Sequence, residues 1–361
     1  MQQLSPIRKP IMVVVFLTLL VAIWAGLLRM GWALTPLRPT LAGAHGPMMV
    51  SGFLGTLIAL ERAVALSRPW AYGVPLVGCL GAILLFFDLP AGAGLLTLSS
   101  LGLMAIYVVI LRRQFVLYTL TMALGAVAWL AGNVIWAAGG AVYQAVPWWA
   151  GFLVLSIVGE RLEISRILRL TSRSRLFFAL AVGLVSMGLL VSLFSYSTGV
   201  RLAGLGSVGL ALWLGINDIA RRTVRRQGLT RFIAANLLLG YFWLAAGGLL
   251  ALFHGEMMAG LLYDAWVHAI FLGFGFSMIF AHSLIILPAV TGISIPYNPI
   301  LYGPVLLMQL ALALRILSDL VLWQPGRKWG GMLNGLAILW FLLEVAALAI
   351  LARRRKTGEE N

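Results

Sequence analysis

Residues 52–62 read GFLGTLIALER and residues 151–161 read GFLVLSIVGER, so six of eleven positions match without a gap at an offset of 99. Each run is apolar until it reaches a Glu-Arg pair, Glu61-Arg62 in the first and Glu160-Arg161 in the second. A weaker third copy starts at Gly273-Phe274 and brings His282 to the position held by Glu61 and Glu160. The three copies fall in the second, sixth and tenth of twelve apolar blocks, so the repeating unit is four blocks used three times. A transporter built from two halves would repeat at an offset of roughly 180, and no such match occurs.

The blocks themselves are of membrane-spanning length. They are expected at 11–33, 44–66, 72–89, 91–111, 116–138, 146–168, 175–195, 199–219, 231–253, 261–287, 299–321 and 330–352, with short Gly, Pro, Arg or Asp clusters between them. The third and fourth meet at Asp88-Leu89-Pro90, the junction where a wrong split is easiest. A mean hydropathy of +1.00 with 61% apolar and 10% charged residues leaves far too much apolar surface for a water-filled exterior, so lipid must cover it. The expected fold is therefore an all-α polytopic membrane protein, about twelve transmembrane helices in three four-helix arcs, forming one integral membrane domain over 1–361 without a soluble domain. The first apolar block follows Arg8 and Lys9 but is too long for a signal peptide and reads as a retained helix.

The net charge of +15 is not a nucleic-acid footprint, because the basic residues are scattered between apolar blocks. With the N-terminus inside, the inner segments hold twenty Lys and Arg and the outer ones hold six. The inner set includes Arg169 and a basic tail over 353–361. The outer six are Arg29, Arg38, Arg201, Arg315, Arg327 and Lys328. This bias places both termini in the cytoplasm of a bacterial cell whose inner membrane holds the chain. Cys79 is the only cysteine, which excludes a disulfide framework, a thiolate metal cage and a haem attached through C-x-x-C-H. The tryptophans, among them Trp32, Trp148, Trp149 and Trp323, read as interfacial anchors.

Four histidines carry the functional reading: His45, His254, His268 and His282. His45 opens the second block and His268 lies near the start of the tenth, so both imidazoles are expected at similar depth in the outer half of the membrane. Each has a glycine seven residues on, Gly52 and Gly275, which an α-helix brings back to nearly the same face. Two imidazoles with little bulk beneath them suit a porphyrin held between helices. The plainer reading is interfacial histidines with glycines that serve helix packing.

The segment Ala44-His45-Gly46-Pro47-Met48-Met49 resembles the second helix of subunit I of the haem–copper oxidases. The tenth block, from Val267-His268-Ala269 through Pro288 to Gly292, is similar to that family's tenth helix. The resemblance implies that His45 and His268 are the two axial ligands of one low-spin haem b, and that twelve helices form three arcs. The shorter NnrS-type haem proteins, linked to nitric-oxide stress, are similar in size. The departures matter as much. Trp266 stands where the oxidases place the histidine of the high-spin haem, and blocks 146–168 and 175–195 carry no histidine for copper. Copper and oxygen reduction are therefore not expected.

Haem propionates would call for cations, and Arg38, Arg315, Arg327 and Lys328 are the candidates, each of which also reads as a snorkelling interface residue. Asp319, four residues after Arg315, is placed to pair with it. His282, Glu61 and Glu160 form a secondary candidate for a metal or a proton relay, against the plainer expectation that the glutamates pair with Arg62 and Arg161. His254 is expected in an outer loop. Two function classes follow. One is a bis-histidine haem protein for electron transfer or gas-related redox chemistry, which would meet a quinone or a membrane redox partner within the lipid. The other is a haem-free transporter or proton/ion-conducting protein.

Overall fold

A computed structural model describes residues 5–38, 40–168 and 170–359, so Arg169 and the last two residues of the basic tail lie outside the described residues, as do the side chains of Arg355 and Lys356. Among the described residues there is no strand, and twelve helices are long and apolar enough to cross a membrane. They are α1 (Ile7–Arg29), α2 (Leu41–Leu66), α3 (Pro69–Phe87), α4 (Leu89–Arg113), α5 (Leu117–Ala137), α6 (Val142–Ser165), α7 (Ser172–Ser192), α8 (Tyr196–Asn217), α9 (Gly228–Phe253), α10 (Gly260–Thr291), α11 (Pro299–Leu320) and α12 (Gln324–Arg354). Each coincides with one expected span. The largest difference is at α12, which begins at Gln324 rather than 330 and takes Arg327 and Lys328 into its first turns. The doubtful junction is real: Asp88 caps α4 by accepting from the Ala91 amide at 3.0 Å.

The repeat-bearing helices form the middle of the molecule. Of the membrane-crossing windows, those of α2, α6 and α10 are 61%, 78% and 72% buried, against 33–56% for the other nine. The repeat-related residues Phe53, Phe152 and Phe274 are all at most 1% exposed. The outer helices turn apolar stripes outward, such as Leu76, Leu80, Ile83 and Phe87 on α3. That spacing is one helical face, the face that lipid covers. Between helices the packing is close. A Cβ at Gly199 would come within 2.3 Å of the Ser192 amide nitrogen, and one at Gly188 within 2.4 Å of the Ala203 amide, so glycine lets α7 and α8 meet backbone to backbone.

Two stretches depart from α geometry. Met48–Gly55 of α2 and Ala269–Phe276 of α10 are π-helical, and they are separated by the same 221 positions that separate Glu61 from His282. A π turn closes over more residues than an α turn, so the side chains beyond it fall on a different face. The corresponding stretch of α6 stays α-helical.

A buried polar knot ties the central helices to their neighbours. The Ser51 hydroxyl donates to Asn133 Oδ1 at 2.6 Å, Trp129 Nε1 donates to Ser51 Oγ at 3.1 Å, and Trp149 Nε1 donates to Asn133 Oδ1 at 3.0 Å. Asn133 in turn donates to the Leu96 carbonyl at 3.2 Å. Trp149 and Trp148 are thus core residues rather than interfacial anchors, since both are buried.

Candidate functional site

A cavity of about 650 Å³ opens toward the face opposite the N-terminus, between the end of α1, the starts of α2, α6 and α10, the end of α11 and the start of α12. Sites that hold cofactor-sized ligands run from about 300 to 1,000 Å³. His45 and His268 both line it.

The orientation of each ring is set by one hydrogen bond. His45 Nδ1 lies 2.7 Å from the Ala22 carbonyl oxygen on α1, and His268 Nδ1 lies 2.8 Å from the Asp264 carbonyl oxygen one turn earlier on α10. A carbonyl can only accept, so Nδ1 carries the hydrogen and the lone pair of the neutral ring is at Nε2. This is the arrangement in which metal-ligating histidines are usually found. Gly26 makes room for His45: a Cβ there would lie 2.7 Å from Cε1 and 2.9 Å from Nδ1 of the ring.

The walls near the imidazoles are apolar, with Val50, Leu54, Val146, Phe271, Phe276 and Ile338 among them. The mouth is charged. Arg29, Arg315, Arg327 and Asp264 line it. Arg315 grips Asp264 through Nε and Nη2 at 2.8 and 2.9 Å, and Arg327 Nη2 donates to the same carboxylate at 3.2 Å. The expected Arg315–Asp319 pair does not form. Asp319 is fully buried and faces Arg327, whose Nε lies 3.1 Å from Oδ1 but is not aligned for a hydrogen bond. Asp264 Oδ1 is also 3.5 Å from His268 Nδ1, so one acidic residue touches both the imidazole and the guanidiniums.

Of the residues singled out from the sequence, His45, His268, Arg315 and Arg327 meet in this cavity. Gly52 and Gly275 do not. The π-helical segments that follow the histidines turn Gly52 toward Thr18 and Ala82, and Gly275 toward Leu153. Arg38 stacks over Phe86 and Phe87, and Lys328 donates to the Gly31 carbonyl and covers Trp32, so both stand off the cavity. His254 follows the end of α9, outside the cavity lining. His282, Glu61 and Glu160 lie toward the other face, and a guanidinium separates the two carboxylates. Among the described residues no three His, Cys, Asp or Glu side chains are grouped to hold a metal ion. Glu160 does not pair with its neighbour Arg161, which instead grips Asp218 through two 2.8 Å bonds.

Sequence reading passed over Gly26, Arg29 and Asp264 as parts of this site. Asp264 carried a usable signal, because it is the only acidic residue in the tenth span and lies one turn before His268. Gly26 carried none, since its role depends on a ring from another helix.

The fold and this site define a polytopic helical membrane protein with a two-histidine cavity under a cluster of arginines. The chain belongs to the family described as a domain of unknown function (DUF8744), whose profile matches residues 8–350. Neither the curated proteins nor the solved structures compared with it gave a match.

Proposed function

We propose that this chain is a membrane b-type haem protein that holds one haem between His45 and His268 and serves electron transfer. The observation that carries the reading is the presence of both imidazoles in one cavity, each with Nδ1 tied to a carbonyl and the Nε2 lone pair left to ligate. Two nitrogen donors are too few for a metal caged by protein alone, but they are what an iron needs when a porphyrin supplies the other ligands. The donor set fits the group. Arg315, Arg327 and Arg29 at the mouth suit two carboxylate tails, and the apolar walls below suit a flat macrocycle.

Held by both His45 and His268, a bound haem would supply one-electron transfer rather than gas binding. The protein's own part is to fix the rings, exclude water from around them and neutralise the anionic end. The N-terminal face lies in the cytoplasm of the inner membrane on the positive-inside bias, so the cavity opens outward. A quinone or a membrane-embedded partner would exchange electrons with it there.

Absorbance tests this. Purified from haem-replete cells, the protein is expected to show a Soret band and a sharp reduced α band, both lost in His45→Ala and in His268→Ala. Colourless wild-type protein would overturn the reading and leave the haem-free transporter. Carbon monoxide is expected to leave the reduced spectrum unchanged; a shift would mean an open axial position and gas chemistry in place of simple electron transfer.

A further inference from the structure

The haem reading leaves the repeat's charged end unexplained. At the N-terminal face one atom, Arg62 Nη2, donates to Glu61 Oε1 at 2.6 Å and to Glu160 Oε1 at 2.7 Å. The two carboxylates come from α2 and α6, so they are held side by side by one guanidinium. Among the described residues, the neighbouring arginines of α6 and the turn after it make their hydrogen bonds to other groups. Arg161 is taken by Asp218, and Arg166 donates to the Tyr118 hydroxyl at 3.2 Å. The remaining groups that face the cluster are Tyr107 from α4, Met122 from α5, Glu163 from α6 and His282 from α10. None of these carries a permanent positive charge, and His282 Nδ1 donates to the Met278 carbonyl within its own helix.

Two carboxylates on one guanidinium leave a negative charge uncompensated at the end of two membrane helices, where an unpaired ion is expensive. A second observation shows unused capacity at the same place. Tyr107 is 1% exposed, its ring stands in the field of Arg62, Glu61 and Glu160, and its hydroxyl has no partner; Arg62 Nε is likewise buried without one. A proton answers that charge better than a metal ion does. No metal-holding group is assembled among the described residues, and the idle guanidinium nitrogen is a donor that would repel a cation.

We infer that Glu61 and Glu160 form a proton-binding site, in which the pair carries a single exchangeable proton beside Arg62 and Tyr107. Both side chains are about a quarter exposed, at 26% and 29%, so the proton can exchange with water at the N-terminal face. His282 stands beside Glu61 as a half-buried acceptor, with its lone pair at Nε2. The inference does not depend on the haem reading.

Infrared spectroscopy of the full-length protein in lipid discs tests it. At neutral pH the wild type is expected to show the carbonyl band of a protonated carboxylic acid, shifted down in deuterium oxide. Either Glu61→Gln or Glu160→Gln leaves one carboxylate for one guanidinium, which ionises, so the band is expected to vanish in both. Glutamine matches the shape of the protonated acid, and if one variant does not fold the other decides. A wild type without the band would overturn the inference, and so would a band that survives in both variants, which would assign it to another acid such as Asp319. Sodium-dependent thermal stabilisation that both variants lose would also overturn it, in favour of a metal cation.

Discussion

The two charged clusters sit at opposite ends of the same helical bundle and are built with opposite imbalances. Around the cavity three guanidiniums, Arg29, Arg315 and Arg327, face two carboxyl groups, Asp264 and Asp319. At the N-terminal face two carboxylates, Glu61 and Glu160, share the single guanidinium of Arg62. The first has spare positive charge beside about 650 Å³ of space; the second has spare negative charge gathered on one guanidinium nitrogen. Surplus cations beside a void call for a bulky anion, whereas two carboxylates drawn to one guanidinium nitrogen can be answered by a proton. The comparison teaches that charge balance must be read together with volume before a ligand class is assigned.

Arg315→Gln attacks that difference most strongly. It removes the bidentate partner of Asp264 and makes the cavity cluster resemble the other one, with carboxyl groups no longer outnumbered. Breaking one side of a buried pair costs about 3–5 kcal/mol, and the lower end is expected because Arg327 still reaches Asp264. Thermal unfolding in detergent should show that loss together with reduced haem content, while the infrared band at the other end stays. Equal stability and full haem occupancy would mean that the excess of arginine has no role in the cavity.

Gly26→Val is the next largest test, and it touches no charge at all. The new side chain would occupy the space of the His45 ring at its Cε1–Nδ1 edge, where the Ala22 carbonyl also holds it. Displacing an oriented ligand typically costs about 10–100-fold in metal affinity, so haem retained through purification should fall accordingly. Titrating haem into depleted protein measures it. Unchanged affinity would show that the ring position on α1 is not the ligating one.

The fold was legible because it depends on the lengths of apolar runs and on where Arg and Lys fall between them. Even the doubtful break at Asp88-Leu89-Pro90 follows from local chemistry, a capping aspartate and a proline at the start of the next helix. The start of α12 was missed because Arg327 and Lys328 read as loop residues, yet both find partners within the bundle, Asp264 and Asp319 for the one and the Gly31 carbonyl for the other. At the site, His45 and His268 were legible from their similar depth near the starts of two repeat-related helices, and both line the cavity. Their surroundings were not. Which residue faces a histidine seven positions on depends on helical phase, and phase was read with the α period through two segments that are π-helical. Likewise the glutamates of the repeat were expected to pair with Arg62 and Arg161; Glu61 does pair with Arg62, but Glu160 shares that same guanidinium, because Arg161 turns to Asp218 from another helix.

The smallest predicted effect tests that phase argument directly. Sequence spacing put Gly275 beneath a porphyrin; the π segment from Ala269 to Phe276 instead turns it to α6, where an added Cβ would lie 2.9 Å from Leu153 Cδ2. That atom is the far end of a side chain that can shift, so Gly275→Ala should overpack the α6–α10 contact by only about 1 kcal/mol. The haem content and the positions of the Soret and α bands should not change, because the alanine methyl enters a helix interface and not the cavity. A variant that folds but loses haem, or whose bands move, would put Gly275 back beneath the cofactor. It would mean that α10 follows the regular period between His268 and Gly275 after all.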